Sequence, residues 1–351
     1  MSNTSLLPLL SSSERQFILQ GVASGVRSDG RGRLDARDII LETGLLPQAN
    51  GSARVIIGNT DILVGIKADL GLPSQQNPDQ GRIHCNVECT ATVTNAVDSR
   101  DADSDAETLG HVITRIFVNS GCIDLKKLCL IPGSVCWNFY IDAMILGFDG
   151  NAADAIAQAV RAAFSDLRIP RVVIDTGSTP PTVEIDEDLR RAFCPVDVAA
   201  LPLSMTMWKV GMSFLVDPTP AEEACASGAL LVAATATGRV CLVQTLAGGA
   251  AQYSESAQAT ALPVPRGEST GAQAGAPPVA VVSAGGMNPH SIVDMLSTAT
   301  EIAQSVARKQ DEALRRVAEA STRSHGAGKS AHFVDQSVGF FADSFAATSG
   351  N

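Results

Sequence analysis

Apolar positions recur along the chain with two different periods, and the switches between them mark out the elements. Residues 13–25 read as a short helix, and residues 26–33 (VRSDGRGR) as a polar, glycine-punctuated turn. A strand is predicted over 37–43, followed by two β-branched runs, 52–57 and 61–67, separated by Gly58-Asn59-Thr60. That pattern predicts a hairpin. Residues 71–81 form a loop and 82–95 return to strand. Over 105–118, Leu109, Val112, Ile113, Ile116 and Phe117 fall at helical spacing. Strands follow at 128–131 and 135–147, and then a helix over 151–165 whose apolar face is mostly alanine, with Pro170 just beyond its end.

The strand period returns near 171–176, 182–186, 196–200, 203–209 and 212–216. Asp217-Pro218-Thr219-Pro220 reads as a turn, with proline presetting its backbone angle. A last hairpin is predicted from 229–236 and 239–246 around Thr237-Gly238. Residues 247–288 are rich in Ala, Gly, Ser and Pro without apolar periodicity, and are expected to be a flexible insertion. The clearest helical stripe spans 291–320, with Ser291 read as its N-cap and Asp294 at the capping-box position. The tail from 323 is small and polar apart from Val338–Phe341. The order predicts an α+β fold: antiparallel or mixed sheets covered by helices, in a core from 26 to 246 with halves near 26–190 and 191–246, completed by the helix of 289–322. Residues 1–25 form an N-terminal extension to it.

With 351 residues and 45% hydrophobic content the chain can bury a large core, which argues against global disorder. A net charge of -11 excludes a free-standing nucleic-acid binder with a basic face. Only 4% of residues are aromatic, too few for recognition built on base stacking. The start of the chain has no basic region followed by an apolar core, and no apolar run approaches a membrane span, so a soluble intracellular protein is expected. None of the eight cysteines forms a CxxC pair, and most lie in apolar runs. Cys85 and Cys89 beside His84 lack a further ligand at suitable spacing, so reduced core thiols are expected and no metal.

Several segments, taken in order, resemble the RNase PH family, and within it the ring subunits of the eukaryotic RNA exosome. Arg27-x-Asp29-Gly30-Arg31 with Arg37 is similar to that family's opening signature. Gly51-Ser52-Ala53-x-Val55 and Gly58-x-Thr60-Asp61-Ile62-Leu63-Val64-Gly65 resemble its first hairpin. Leu128-Cys129, Trp137, Asp142, Asp149-Gly150-Asn151 and Asp154-Ala155 resemble its central strands and helix. Ile169-Pro170-Arg171-Val172 and Val216-Asp217-Pro218-Thr219, with Glu222-Glu223-Ala224-Cys225, resemble its second half. The resemblance implies a duplicated β-α fold and a six-membered ring of alternating subunits with RNA threaded through its pore. It further implies other RNase PH-like chains as direct neighbours, RNA-binding cap subunits above, a separate hydrolytic exoribonuclease, and residence in nucleus, nucleolus and cytoplasm.

Active members of the family carry a Gly-Gly-Thr-Arg-like segment for phosphate and a pair of aspartates. In this chain the first segment reads Asp149-Gly150-Asn151-Ala152-Ala153-Asp154, without the arginine and with an added negative charge. The aspartate pair corresponds to Glu223 and Ala229, so one carboxylate is gone. The resemblance thus implies a degenerate homologue: a structural subunit that supports RNA processing and degradation, including ribosomal RNA maturation, with no cofactor and no bond-breaking of its own. An active phosphate-dependent exoribonuclease, or a chain lending residues to a partner's site, is the alternative. An unrelated α+β homo-oligomer is a further one, although no GxxxxGK[ST] loop supports a P-loop enzyme. Candidate RNA contacts are Arg115, Lys126 and Lys127, with Arg27 and Arg31 of the opening cluster. For that cluster the ordinary alternative is pairing with carboxylates in a turn, or at a subunit interface.

Overall fold

The computed structural model describes residues 7–90, 99–175, 182–186, 191–249 and 289–324. Two sheets enclose a layer of helices. The first sheet contains β1 (Ile39–Thr43), β2 (Gly51–Ile57), β3 (Thr60–Gly71), β4 (Arg82–Cys89), β5 (Cys129–Ile131) and β6 (Val135–Gly147), in the order β1-β2-β3-β6-β4 with β5 paired to β6. All its pairs are antiparallel except β4 with β6. The predicted hairpin closes with Ile57 opposite Thr60, and Gly58 at φ 59 makes the tight turn. Along β6 the side chains alternate: Phe139, Ile141, Ala143 and Ile145 are buried, and Tyr140, Asp142 and Met144 face out.

The helix read from the alanine stripe is α3 (Ala152–Asp166), and every residue from Ala152 to Phe164 is buried. It packs on β2 and β3 on one side and on β9 (Leu203–Val210) of the second sheet on the other. Alanine makes this possible, because a methyl side chain lets two sheets approach one helix closely. Before it in the chain, α2 (Ser99–Thr114) packs beside β4 and runs into a π-turn at Arg115–Asn119. A small two-stranded sheet, β7 (Val172–Asp175) with β8 (Thr182–Ile185), follows α3.

The second sheet has the order β10-β9-β11-β12, with β9 (Leu203–Val210), β10 (Ser213–Val216), β11 (Gly228–Ala234) and β12 (Val240–Ala247). Strand β11 is buried throughout, as a central strand covered on both faces must be. The last helix, α5 (Pro289–Ser324), lies on β9 and β11 beside α3. Arg161 of α3, wholly buried, bonds the Gln310 side chain at 3.0 Å and meets Asp311 at 2.7 Å, tying the two helices together. Helix α1 (Ser12–Ala23), capped by Ser11 with Glu14 in a capping box, adds Val22, Ile18 and Leu19 to a small satellite cluster with Leu215 and Cys225.

The α+β expectation holds in class and order. Differences are local. Residues 198–200 form a 3-10 turn instead of a strand, because Asp197 caps them by accepting from the Ala199 N–H. Ser291 is not an N-cap: the helix already includes Pro289, whose missing N–H suits a first turn. A helix absent from the prediction, α4 (Pro220–Cys225), stands where the sequence reads as a turn. Of the expected insertion at 247–288, Ala247 instead ends a strand, while residues 250–288, the strand residues beyond 90, and the tail with Val338–Phe341 lie outside the described residues. No described helix is long and apolar enough to cross a membrane.

Candidate functional site

The start of α3 gathers the residues singled out by the phosphate-site argument. Gly150, at φ 83, turns the chain from β6 into the helix, and Asn151 takes the left-handed N-cap conformation at φ 59. A Cβ on Gly150 would collide with the carbonyl oxygen of Pro218, with backbone atoms of Thr219 and Pro220 close behind. The second half of the chain therefore presses its backbone against the helix start. Gly150→Ala is expected to lower stability by about 2–4 kcal/mol, from the positive φ and the clash together. A fall of several degrees in the melting temperature is the readout, and an unchanged melting curve would contradict this packing.

Helix α4 supplies the acids. Thr219 caps it, Pro220 opens it, and Glu222 completes a capping box. The helix is only six residues long, but it brings Glu223 to the start of α3. The Asn151 N–H donates to Glu223 Oε1 at 2.6 Å. A carboxyl group from within the chain thus satisfies a helix-start amide that an anion could otherwise take. Burial pushes the Glu223 carboxyl up to about 8, against the lowering effect of the Asn151 N–H and Arg37. Asp154, in the first turn of α3, has no exposed surface and accepts from the Ser204 hydroxyl at 2.8 Å and from the Thr206 N–H and hydroxyl at 2.8 and 2.9 Å. It anchors the helix to β9, and burial raises its carboxyl above the usual range.

Asp217 is the hub, and reading it as turn chemistry missed this. Its backbone sits at φ 50 and its side chain is buried. The carboxylate accepts from the Arg37 N–H at 2.8 Å, from Arg37 Nε at 2.9 Å and Nη2 at 2.7 Å, and from Arg31 Nη1 at 2.8 Å. Burial alone would raise this carboxyl, but Arg37 and Arg31 hold it below its ordinary value. Arg37 also bonds the Asp149 carbonyl at 2.6 Å, which fixes the turn before Gly150.

These contacts correct one candidate and reassign another. The Arg27 side chain has no exposed surface and forks onto Glu222 at 2.9 and 2.6 Å, while its remaining donors reach the carbonyls of Val216 and Asp217. A guanidinium so enclosed cannot reach an RNA phosphate, so Arg27 is not an RNA contact in this structure. Arg31 keeps 16% of its side chain exposed and is held between Asp29 and Asp217. Both follow the carboxylate-pairing alternative. Arg115, Lys126 and Lys127 stand apart from this cluster and are exposed, Arg115 opening the π-turn and Lys126 lying 3.6 Å from Asp79. Ala152 and Ala153 are buried in the helix start, and Ala229 is buried on β11 between Trp208 and Leu246. His84 stacks on Tyr140 at 5.3 Å, and among the described residues no group of three or more His, Cys, Asp or Glu is placed to hold a metal ion.

One signal for α4 was present in the sequence: Thr219-x-x-Glu222 is the capping-box spacing. Nothing local in the sequence marks the Arg37–Asp217 pair, whose members are 180 residues apart.

Residues 35–170 match the 3′ exoribonuclease family, domain 1, and residues 200–262 match domain 2 of the same family. Together with the two sheets, the shared helix layer and the site at its start, this places the chain in the RNase PH family of 3′ exoribonucleases. Among its relatives, the exosome complex component Rrp42 of Pyrococcus furiosus is 36% identical over 243 residues, covering 69% of this chain and 85% of that protein. The exosome complex component Rrp42 of Thermococcus onnurineus is 33% identical over 249 residues, covering 71% and 89%. In structure, the chain is similar to one from the Archaeoglobus fulgidus exosome with RNA bound to the active site, with a TM-score of 0.63 at 24% identity over 85% of this chain and 97% of that one. Family membership sets aside the unrelated homo-oligomer.

Proposed function

We propose that this chain is a structural subunit of an RNA exosome ring, in the place of Rrp42, and that it does not cleave RNA by itself. One observation carries the reading. The helix start at which a phosphorolytic enzyme would hold inorganic phosphate is closed by the chain's own Glu223, accepting from the Asn151 N–H at 2.6 Å, with Ala152 and Ala153 buried beside it. Phosphate there would have to displace Glu223 from the Asn151 N–H beside the ionised, buried Asp217, and Arg37 is already bound to Asp217. Burying an anion without a free cation to pair with it is costly.

In this reading the subunit contributes shape. It pairs with other RNase PH-like chains, supports RNA-binding cap subunits, and leads RNA through the ring to a separate hydrolytic exoribonuclease. Exposed Tyr140 and Met144 on β6 support a face made for a partner. Arg115, Lys126 and Lys127 are exposed basic side chains that would meet RNA in this reading. Work in nucleus, nucleolus and cytoplasm, including ribosomal RNA maturation, belongs to the same proposal.

The test uses purified full-length chain and end-labelled RNA, with and without inorganic phosphate. No shortening is expected in either arm. Phosphate-dependent shortening that disappears in Glu223→Gln would overturn the reading. In the reconstituted ring, Ala at positions 115, 126 and 127 is expected to weaken RNA binding and flatten its salt dependence by about one phosphate contact for each side chain engaged.

A further inference from the structure

Eight cysteines are thiols in this structure, and one pair stands out by geometry. Cys122 and Cys241, 119 residues apart, bring their sulfurs to 3.3 Å. Irregular backbone on each side aims them together. Cys122 follows the π-turn Arg115–Asn119 and the left-handed Gly121 at φ 69. Cys241 sits at a register break of the edge strand β12: Ala233 pairs with Leu242 and Ala234 with Val240, so Cys241 has no opposite residue on β11. A bulge of this kind re-aims a side chain out of the regular pleat. Both thiols are part-exposed, within reach of a small solute.

We propose that Cys122 and Cys241 are a redox modification site, forming a reversible intrachain disulfide that joins the segment after α2 to the edge of the second sheet. The surroundings provide the chemistry. The Ser120 hydroxyl donates to Cys122 Sγ at 3.1 Å, and the thiol of Cys241 faces the same sulfur. The hydrogen bond from Cys241, then that from Ser120 and the charge of Arg239, lower the Cys122 thiol to about 6, while contact with Cys122 raises Cys241. Cys122 is thus the attacking thiolate and Cys241 the resolving thiol. With glutathione disulfide as oxidant, the Cys122 thiolate attacks one sulfur, forming a mixed disulfide and expelling one glutathione thiolate. Cys241, giving its proton to that thiolate, then attacks Cys122 Sγ and expels the second glutathione, which takes a proton from water buffered at neutral pH. Two protein thiols are oxidised and one glutathione disulfide is reduced to two glutathiones.

Cys129 and Cys136 provide an internal comparison, since they pair across β5 and β6 but burial raises both thiols. Reduced full-length protein is incubated in glutathione buffers of rising oxidised fraction, quenched by alkylation and digested without reductant. A linked 122–241 peptide, two hydrogens lighter than the sum of its parts, is expected to appear before any other linkage. Iodoacetamide at neutral pH is expected to modify Cys122 at least about tenfold faster than Cys85, whose burial pushes its thiol to about 11. In Cys241→Ser the attack has no resolving partner, so glutathione is expected to stay attached to Cys122. Recovery of both residues as alkylated thiols when other cysteines are already oxidised would overturn the proposal, as would linkage of either one to a different cysteine.

Discussion

Arg27→Ala is expected to lower the stability of the folded chain by about 3–5 kcal/mol, the cost of leaving a buried charge without its partner. The Arg27 and Glu222 side chains are 0% and 2% exposed. Without Arg27, Glu222 keeps only its capping bond from the Thr219 N–H at 2.9 Å, and the carbonyls of Val216 and Asp217 lose a donor. Arg27→Lys does not restore the pair, because one ammonium cannot fork onto both carboxylate oxygens. The double replacement Arg27→Met with Glu222→Met removes both charges and is expected to recover much of the loss. Urea denaturation checks this through the midpoint at unchanged slope. A single variant within about 1 kcal/mol of the parent would show that Glu222 finds water or another partner, and that the pair does not hold the opening turn to α4.

The second large effect is a dependence on pH. Folding raises the Glu223 carboxyl from 4.5 to about 8. Between those values the folded chain holds a proton that the unfolded chain has released. Stability is therefore greatest at the acidic end of the window and falls as pH rises, by up to about 1.4 kcal/mol per unit. Asp154, also raised by burial, adds to the same trend. Asp217 works in the opposite sense: its carboxyl is lowered, so its contribution is kept above the ordinary carboxylate range and lost only at more acid pH. Glu223→Gln preserves an oxygen to accept from the Asn151 N–H and removes the titration. It is expected to stabilise the chain near pH 8 and to flatten the profile between pH 5 and 8, leaving the slope due to Asp154. Chemical denaturation of parent and variant across that range is the measurement, and parallel profiles would refute it.

The contrast between these two sites shows where sequence reading reaches. The β2–β3 hairpin was legible because β-branched runs flank a glycine turn, and α3 because alanine recurs at helical spacing before Pro170. The loss of the family's arginine and of one aspartate was legible because each falls in a recognisable segment. Helix α4 was not, since six residues are too few for periodicity and its proline suggested a turn. The roles of Arg27, Arg37 and Asp217 were hidden for another reason. Their bonds join residues about 180 to 195 positions apart, and only the folded chain brings them together. An arginine in a polar, glycine-rich stretch reads as a surface charge until the strand that covers it is in place.

The closing of the molecule by α5 bears on how it is made. The ribosome releases the first sheet and α3 well before the residues from 289 onward, and Arg161 of α3 and the strands β9 and β11 take part of their cover from that last helix. Until α5 has been made, β9 and β11 lack the apolar cover it gives and Arg161 lacks the charge of Asp311. Native closure therefore waits on a segment far along the chain from α3, and an apolar side left open in such an interval favours aggregation.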